Sequence, residues 1–103
     1  MDLNLRYDFN ALCEIENESG LGITEIINST KITYTTRVML WGGLLHQKPN
    51  LTIKEAGDMI QDNLKNGKSL NDISEVIIKA LTKSGVLGNN KKEEDNEVTD
   101  EKN

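Results

Sequence analysis

The chain has 103 residues, with 17 acidic and 12 basic side chains, a net charge of −5, one Cys and one His. This length suits a single domain and excludes a large two-domain enzyme, and an acidic chain without a basic cluster argues against binding to duplex DNA or an anionic membrane. One Cys and one His cannot form a four-ligand zinc site or an intrachain disulfide, so the composition predicts a small soluble protein of a reducing cytoplasm, without a membrane span or signal peptide.

The N-terminal segment alternates apolar and polar residues over positions 3–7, which is the pattern of a short strand. Because one short strand is not stable alone, we expect it to stay extended against helices or to pair with another chain. Asp8 can then cap a first helix, which Gly20 and Gly22 end. The side of this helix predicted to be buried carries Phe9, Leu12 and Cys13, with Ile15 beside them.

A short helical turn and a long helix are predicted next. Thr24 is a candidate cap for the turn, and the long helix spans about residues 31–47. Apolar residues in the long helix recur at i, i+4, i+7 and i+11, and the breadth of this stripe predicts the central, most buried helix. Pro49 stops the helix, because the residue before a proline is pushed out of helical geometry. The stripe consists of Tyr34, Val38, Leu40, Trp41, Leu44 and Leu45.

Two further amphipathic helices complete the predicted fold. Thr52 and Glu55 have the spacing of a capping box, and Ser69 with Asp72 repeats that spacing at the start of the last helix. The first of the two helices ends near Gly67, and Gly85 or Gly88 closes the second. Their apolar faces comprise Ile53, Ala56, Ile60 and Leu64 in the first helix, and Leu70, Ile73, Val76, Ile77, Ala80 and Leu81 in the second.

The last fifteen residues differ in composition from the rest of the chain. Residues 89–103 contain six acidic residues, three lysines and Val98 as the only large apolar side chain, so we predict a disordered tail. The predicted fold is therefore all-α, a small bundle of four to five helices over residues 1–88 with a short N-terminal extended segment. Self-association or a partner would add stability to so small a domain.

Residues that could carry chemistry do not form a recognisable constellation. His46 lies near the end of the central helix, where its imidazole can interact with the last carbonyls, and no second ligand stands at helical spacing from it. Cys13 is expected to be buried as a small apolar residue rather than reactive. Glu14, Glu16 and Glu18 fall on different helix faces and are expected to be solvated. We therefore predict no catalytic, cofactor-binding or metal site, and a protein that is not an enzyme.

Two consecutive glycines lie inside the central helix. Gly42 and Gly43 follow Trp41, although each glycine there costs on the order of 1 kcal/mol relative to alanine. Close packing against a neighbouring element would compensate for this cost, and a kink or a groove for a partner is the alternative. We favour close packing.

Two ordered blocks resemble the tail assembly chaperones of long-tailed bacteriophages and prophages, including the related proteins of gene transfer agents. The first block is LRYDFNALCEIE at residues 5–16, and the second is RVMLWGGLLH at 37–46, followed by PNLTIKEAG at 49–57. The similarity runs from about residue 3 to 60, whereas the C-terminal third matches only in helical character. The chain departs from the family at Gly42, where alanine is common, and at Gln47 and Lys48, where acidic residues are common.

The resemblance implies a small helical protein of the host cytoplasm that is needed to build the tail and is absent from the mature virion. Such proteins coat the aggregation-prone tape measure protein and help to recruit tail tube protein around it. The resemblance implies no cofactor. In this interpretation Tyr7, Phe9, Trp41 and Leu45 belong to the core rather than to a contact surface.

Two other functions remain open at this stage. The first is a structural minor tail or head-to-tail completion protein that is retained in the virion. The second is a small regulatory DNA-binding protein, which the charge disfavours. The predicted last helix offers only Lys79 and Lys83 against Asp72 and Glu75, and contacts to phosphate supply most of the affinity for DNA.

Overall fold

The computed structural model describes residues 3–87, and the regular structure in this range is helical, without a β-strand. The five helices are α1 (Phe9–Ser19), α2 (Ile23–Ile27), α3 (Ile32–Leu44), α4 (Ile53–Lys65) and α5 (Leu70–Ser84). The predicted all-α class and helix number are confirmed. The tail predicted for residues 89–103 lies outside the described residues.

Helix α3 is the centre of the fold, as its broad apolar stripe predicts. Nine of its thirteen residues are buried, and it packs against α1, α4 and α5. Each of those three helices directs a narrow apolar stripe at α3, whereas α3 is apolar around most of its circumference. The buried apolar core consists of Tyr7, Leu12, Ile15, Ile26, Val38, Met39, Leu40, Trp41, Leu44, Ala56, Ile60, Ile73, Ile77 and Leu81.

Side chains cap three of the helices at the predicted positions. Asp8 accepts a hydrogen bond from the Ala11 N–H at 2.9 Å at the start of α1. Glu55 accepts one from the Thr52 N–H at 2.9 Å, and the Thr52 hydroxyl accepts the Glu55 N–H in return. In the equivalent box of α5 the Ser69 N–H donates to Asp72 at 2.8 Å, and this bond, with that from the Ser69 hydroxyl, lowers the pKa of the Asp72 carboxyl.

Helix α3 is shorter than predicted. It ends at Leu44 rather than near residue 47, and the chain then forms a turn over 45–47. The N–H groups of Gln47 and Lys48 both bond to the Leu44 carbonyl, which tightens the end of the helix before Pro49 is reached. Pro49 therefore lies beyond the end of the helix and does not set it.

The prediction that Thr24 caps the second helix is wrong. Helix α2 begins at Ile23 with Gly22 as its cap residue, so Thr24 lies inside the helix. The Gly22 N–H donates to Glu25 at 2.9 Å, and the Ile23 N–H donates to Glu16 of α1 at 2.9 Å. These two carboxylates satisfy the N–H groups of the cap residue and of the first helical residue.

The N-terminal segment lies along the C-terminal half of α3, which is the first of the two predicted alternatives. The Arg6 N–H donates to the Gly43 carbonyl at 2.9 Å. The Tyr7 hydroxyl donates to the Met39 carbonyl at 2.6 Å, and the Tyr7 ring is 2% exposed. The segment therefore has the alternating pattern of a strand but bonds to α3, through the backbone N–H of Arg6 and the buried hydroxyl of Tyr7.

The two glycines of α3 allow this close approach. A Cβ atom on Gly42 would overlap Cγ1 and Cδ1 of Ile15, and one on Gly43 would lie 2.8 Å from Cζ and the hydroxyl oxygen of Tyr7. Both separations are shorter than any ordinary contact between carbon atoms, so no side chain fits at either position. The backbone of α3 therefore touches α1 and the N-terminal segment directly. The prediction of close packing is confirmed.

We expect Gly42→Ala and Gly43→Ala each to lower the free energy of unfolding by about 1–3 kcal/mol, because the added methyl group overpacks the core. Helix propensity alone would give the opposite sign, a gain of up to about 1 kcal/mol. Chemical denaturation measures the difference. Gly57→Ala in α4 is the matched control, since its Cβ would lie 3.2 Å from the flexible Arg37 side chain, which can move. A stabilised Gly42→Ala variant would contradict the packing explanation.

The buried phenol predicts a pH dependence. Desolvation raises the pKa of Tyr7 well above its ordinary value of 10.0. The stability contributed by the buried neutral phenol is therefore complete below pH 10 and is lost as the pH rises further. We expect the free energy of unfolding to fall there by up to about 1.4 kcal/mol per pH unit. Tyr7→Phe should cost about 1 kcal/mol at pH 7 and should remove this alkaline loss, as followed by urea unfolding between pH 7 and 11.

Tyr34→Phe serves as the control for this experiment, because Tyr34 is only half-buried and its replacement leaves Tyr7 in place. It should retain the alkaline decrease in stability. An identical decrease in the Tyr7→Phe variant would mean that the phenol is not held neutral by the fold.

Candidate functional site

An apolar groove with a volume of about 310 Å³ lies between α2, α3 and α5. Its buried floor includes Ile26, Met39, Ile77 and Leu81. We call it the α2–α5 groove. The complete lining is Ile26, Ile27, Ser29, Ile32, Thr35, Thr36, Met39, Ser74, Ile77, Ile78, Leu81 and Leu87.

The rim of the groove exposes large apolar side chains to solvent. Ile27 is 40% exposed, Ile32 49%, Ile78 56% and Leu87 49%. Single exposed apolar residues are common on proteins, but four of them around one depression form a continuous patch of the kind that marks an interaction surface.

The groove exists because α2 is too short to cover the face of α3 that it adjoins. Helix α2 has five residues and buries only Ile26, while α5 packs chiefly on α3. The N-terminal half of α3, with Ile32 and Thr35, is therefore left between them. The Thr35 hydroxyl donates to the Lys31 carbonyl at 3.1 Å, so this polar group is satisfied within the helix and the groove offers mainly apolar contact.

His46 has a structural contact that differs from the predicted one. Its Nε2 lies 2.7 Å from the Asn4 carbonyl oxygen, so the imidazole donates to the N-terminal segment rather than to the last carbonyls of α3. His46 also lines a smaller depression of about 190 Å³ beside Arg6 and Asp8. The Arg6–Asp8 ion pair spans 3.4 Å and is well exposed to solvent.

The predicted burial of Phe9 and Cys13 is wrong. Phe9 is 79% exposed and Cys13 is exposed, whereas Leu12 and Ile15 are buried against α3. At roughly 100° per residue, Cys13 lies about 160° and Phe9 about 120° from Ile15 around the helix. Once α3 fixes Ile15 as the centre of the buried face, the other two side chains must point away from the core.

The other three residues assigned to the core together with Phe9 are buried or partly buried, whereas Leu64, on the predicted apolar face of α4, is 39% exposed. Tyr7 and Trp41 are buried, and Leu45 is partly buried against the core. The Trp41 indole N–H donates to the Leu51 carbonyl at 2.8 Å, which ties α3 to the start of α4. The prediction that these three residues belong to the core is confirmed, in contrast to that for Phe9.

The two blocks that carry the family resemblance pack against each other. Tyr7 and Ile15 of the first block contact the Gly42–Gly43 step of the second. The three acidic residues of α1 are exposed, and Glu16 has a defined role in accepting the Ile23 N–H. The two blocks therefore contribute much of the core, whereas the α2–α5 groove is lined mainly by residues between the blocks and by α5.

The groove was not predicted from the sequence. A weak signal was present at Ile78, which is an apolar residue beside the predicted stripe of the last helix rather than within it. Ile27 and Ile32 flank a loop, where periodicity gives no face. Only the packing of α2 beside α5 brings these residues together.

Residues 3–87 show neither a metal site nor a membrane span. This range contains no group of three or more His, Cys, Asp or Glu side chains that could hold a metal ion. None of its helices combines the length and apolar content needed to cross a membrane. Comparison with protein-family models, curated proteins and solved structures finds no match to this chain.

The adjacent residues Ile77 and Ile78 test whether the fold uses the rim of the groove. Ile77→Ala should lower the free energy of unfolding by about 2–5 kcal/mol, because Ile77 is 5% exposed and its truncation leaves a cavity. Ile78→Ala should change it by less than about 0.5 kcal/mol, since its side chain is largely in water. Urea unfolding at low protein concentration measures both. Equal losses would show that Ile78 belongs to the core.

Proposed function

We propose that this protein is a tail assembly chaperone of a long-tailed bacteriophage or prophage, which binds the tape measure protein and helps to recruit tail tube subunits during tail morphogenesis. The observation that carries the proposal is the exposed apolar α2–α5 groove on a small helical domain. The two sequence blocks that resemble the family support it independently of the groove.

The chemistry of the groove suits an amphipathic helix. A helix that lies in an apolar groove is recognised through side chains at i, i+3, i+4 and i+7. The exposed rim residues Ile27, Ile32 and Ile78 can pack on such a stripe, and the floor is already buried. A tape measure protein is long, largely helical and apolar along its exposed stripes, so covering these stripes would suppress its aggregation.

Charge and copy number favour the same role. The net charge of −5 on each copy adds repulsion between coated complexes, which opposes their association. Many copies along one long chain gain from multivalency, so each groove can bind weakly and still be displaced by tail tube subunits.

The proposal predicts capture of the longest coiled-coil protein encoded nearby when the two are co-expressed, together with an increase in its soluble fraction. Ile32→Ser/Ile78→Ser should reduce both, since it removes exposed apolar area from the rim of the groove. Phe9→Ser is the matched control, because Phe9 is 79% exposed but lies on α1 outside the groove. It should capture the same protein as the wild type.

The phage itself provides the decisive comparison. Deletion of the gene should leave heads intact and tails missing, and mass spectrometry of purified virions should find the protein absent or in trace amounts. Recovery at a fixed copy number per particle would instead favour a minor tail or head-to-tail completion protein. Normal tails after a clean deletion would exclude both functions.

A further inference from the structure

The edge of α5 that borders the α2–α5 groove carries a large apolar side chain that is mostly exposed to solvent. Ile78 is 56% exposed near the middle of the helix. At roughly 100° per residue, Ile78 lies about 100° from the buried Ile77 and about 60° from the buried Leu81, so it stands at the edge of the buried face. Ile78 is continuous with the α2–α5 groove, since Ile32 and Leu87 line the same depression.

The charges of α5 are ordered along the helix. Its four charged residues are Asp72 and Glu75 on the N-terminal side of Ile78, and Lys79 and Lys83 on the C-terminal side. All four side chains are exposed. Viewed down the axis, they lie on one flank of Ile78, at roughly 60–140° from it. The helix is thus acidic before Ile78 and basic after it, along a single edge.

We propose that two copies of this protein pair antiparallel through α5, with a two-fold axis at Ile78. In this arrangement position 75 of one copy lies opposite position 81 of the other, so Glu75 falls between Lys79 and Lys83 of the second copy. Glu75, at about 60° from Ile78, and Lys79, at about 100°, are the charged residues nearest the contact line, whereas Asp72 and Lys83 lie farther round the helix. Parallel pairing would place acid against acid and lysine against lysine, and would align the two helix dipoles unfavourably.

The two flanks of Ile78 have different partners in this pairing. A two-fold axis perpendicular to both helices keeps the charged flanks of the two copies on the same side of the contact. On the opposite side, the apolar rims of the two grooves face each other, with Ile32 and Leu87 close to the seam. Apolar contact and opposite charges therefore act together, which is the arrangement that self-complementary two-fold interfaces require.

The C-terminal residues of the same chain suit the groove less well. Residues 88–103 follow Leu87 directly, but they contain six acidic side chains and Val98 as their only large apolar residue after Leu87. Such a segment has little apolar area to bury. A second copy supplies Ile78, Ile32 and Leu87 together. The pairing does not rest on the function proposed above, but both use Ile32 and Ile78, so a second copy and a partner helix would compete for this surface.

Sedimentation equilibrium of the full chain over a concentration series tests the pairing. The wild type should show a monomer–dimer equilibrium that weakens as salt is raised, because the charge pairs are exposed. Ile78→Ser should weaken dimerisation at least about tenfold, since each dimer loses two buried isoleucines. Phe9→Ser should leave it unchanged. A wild type that remains monomeric throughout would overturn the proposal.

A charge exchange tests the antiparallel order. Glu75→Lys in one variant and Lys79→Glu/Lys83→Glu in another should each dimerise more weakly than the wild type, because like charges then meet across the axis. Mixing the two variants should restore association as a heterodimer, in which position 75 of each copy faces opposite charges. Asp72 is kept in both, since it accepts the Ser69 N–H that caps α5.

The outcomes of the mixing experiment are distinct. Circular dichroism should first show equal helicity of the variants, so that a loss of pairing is not a loss of folding. Association of the mixture but not of its components supports the arrangement. Variants that self-associate as tightly as the wild type would place the second copy elsewhere. A dimer lost in Val98→Ser but kept in Ile78→Ser would assign the groove to the C-terminal residues and would also overturn the proposal.

Discussion

The fold depends on the close approach of α3 to the N-terminal segment and α1 at two successive glycines. Without side chains at Gly42 and Gly43, Ile15 and Tyr7 reach the backbone of α3 and become almost completely buried. Each glycine costs on the order of 1 kcal/mol in helix propensity, and the buried side chains offset this cost through dispersion and the hydrophobic effect. The hydroxyl of Tyr7 then uses a carbonyl of the same helix, so the one polar atom carried into this contact is satisfied.

This contact divides α3 into two halves with different surroundings. The C-terminal half, with Trp41 and the two glycines, is enclosed by the N-terminal segment, α1 and α4. Along the N-terminal half, Ile32 and neighbouring residues line an open groove beside the five-residue α2 and one side of α5. One helix thus serves as the core of the domain at one end and as the wall of an interaction surface at the other.

The two sequence blocks and the candidate site occupy largely different parts of the chain, since Met39 is the one residue of the groove lining that lies inside a block. The two sequence blocks meet at the Gly42–Gly43 step, so their pattern is explained by packing before any contact with a partner is considered. The groove depends on α2 and α5, and α5 belongs to the third of the chain where the resemblance is weakest. Rim residues such as Ile27 and Ile78 are exposed and contribute little to folding, so the groove can change without disturbing the core.

The sequence by itself determined the helices, the caps of α1, α4 and α5, and the identity of the central helix. Capping boxes and helical periodicity depend on residues three or four apart, so Thr52, Ser69 and the stripe of α3 could be interpreted without tertiary knowledge. Only the tertiary structure decided which side of each helix is buried where the apolar stripe is ambiguous. Packing on α3 selected Ile15 over Phe9 and Cys13, and it brought Glu16 of α1 to the Ile23 N–H, seven residues away, at the start of α2. The groove was also decided only by the tertiary structure. Its rim joins residues from separate segments, Ile27, Ile32, Ile78 and Leu87, and no local sequence pattern shows which segments become neighbours.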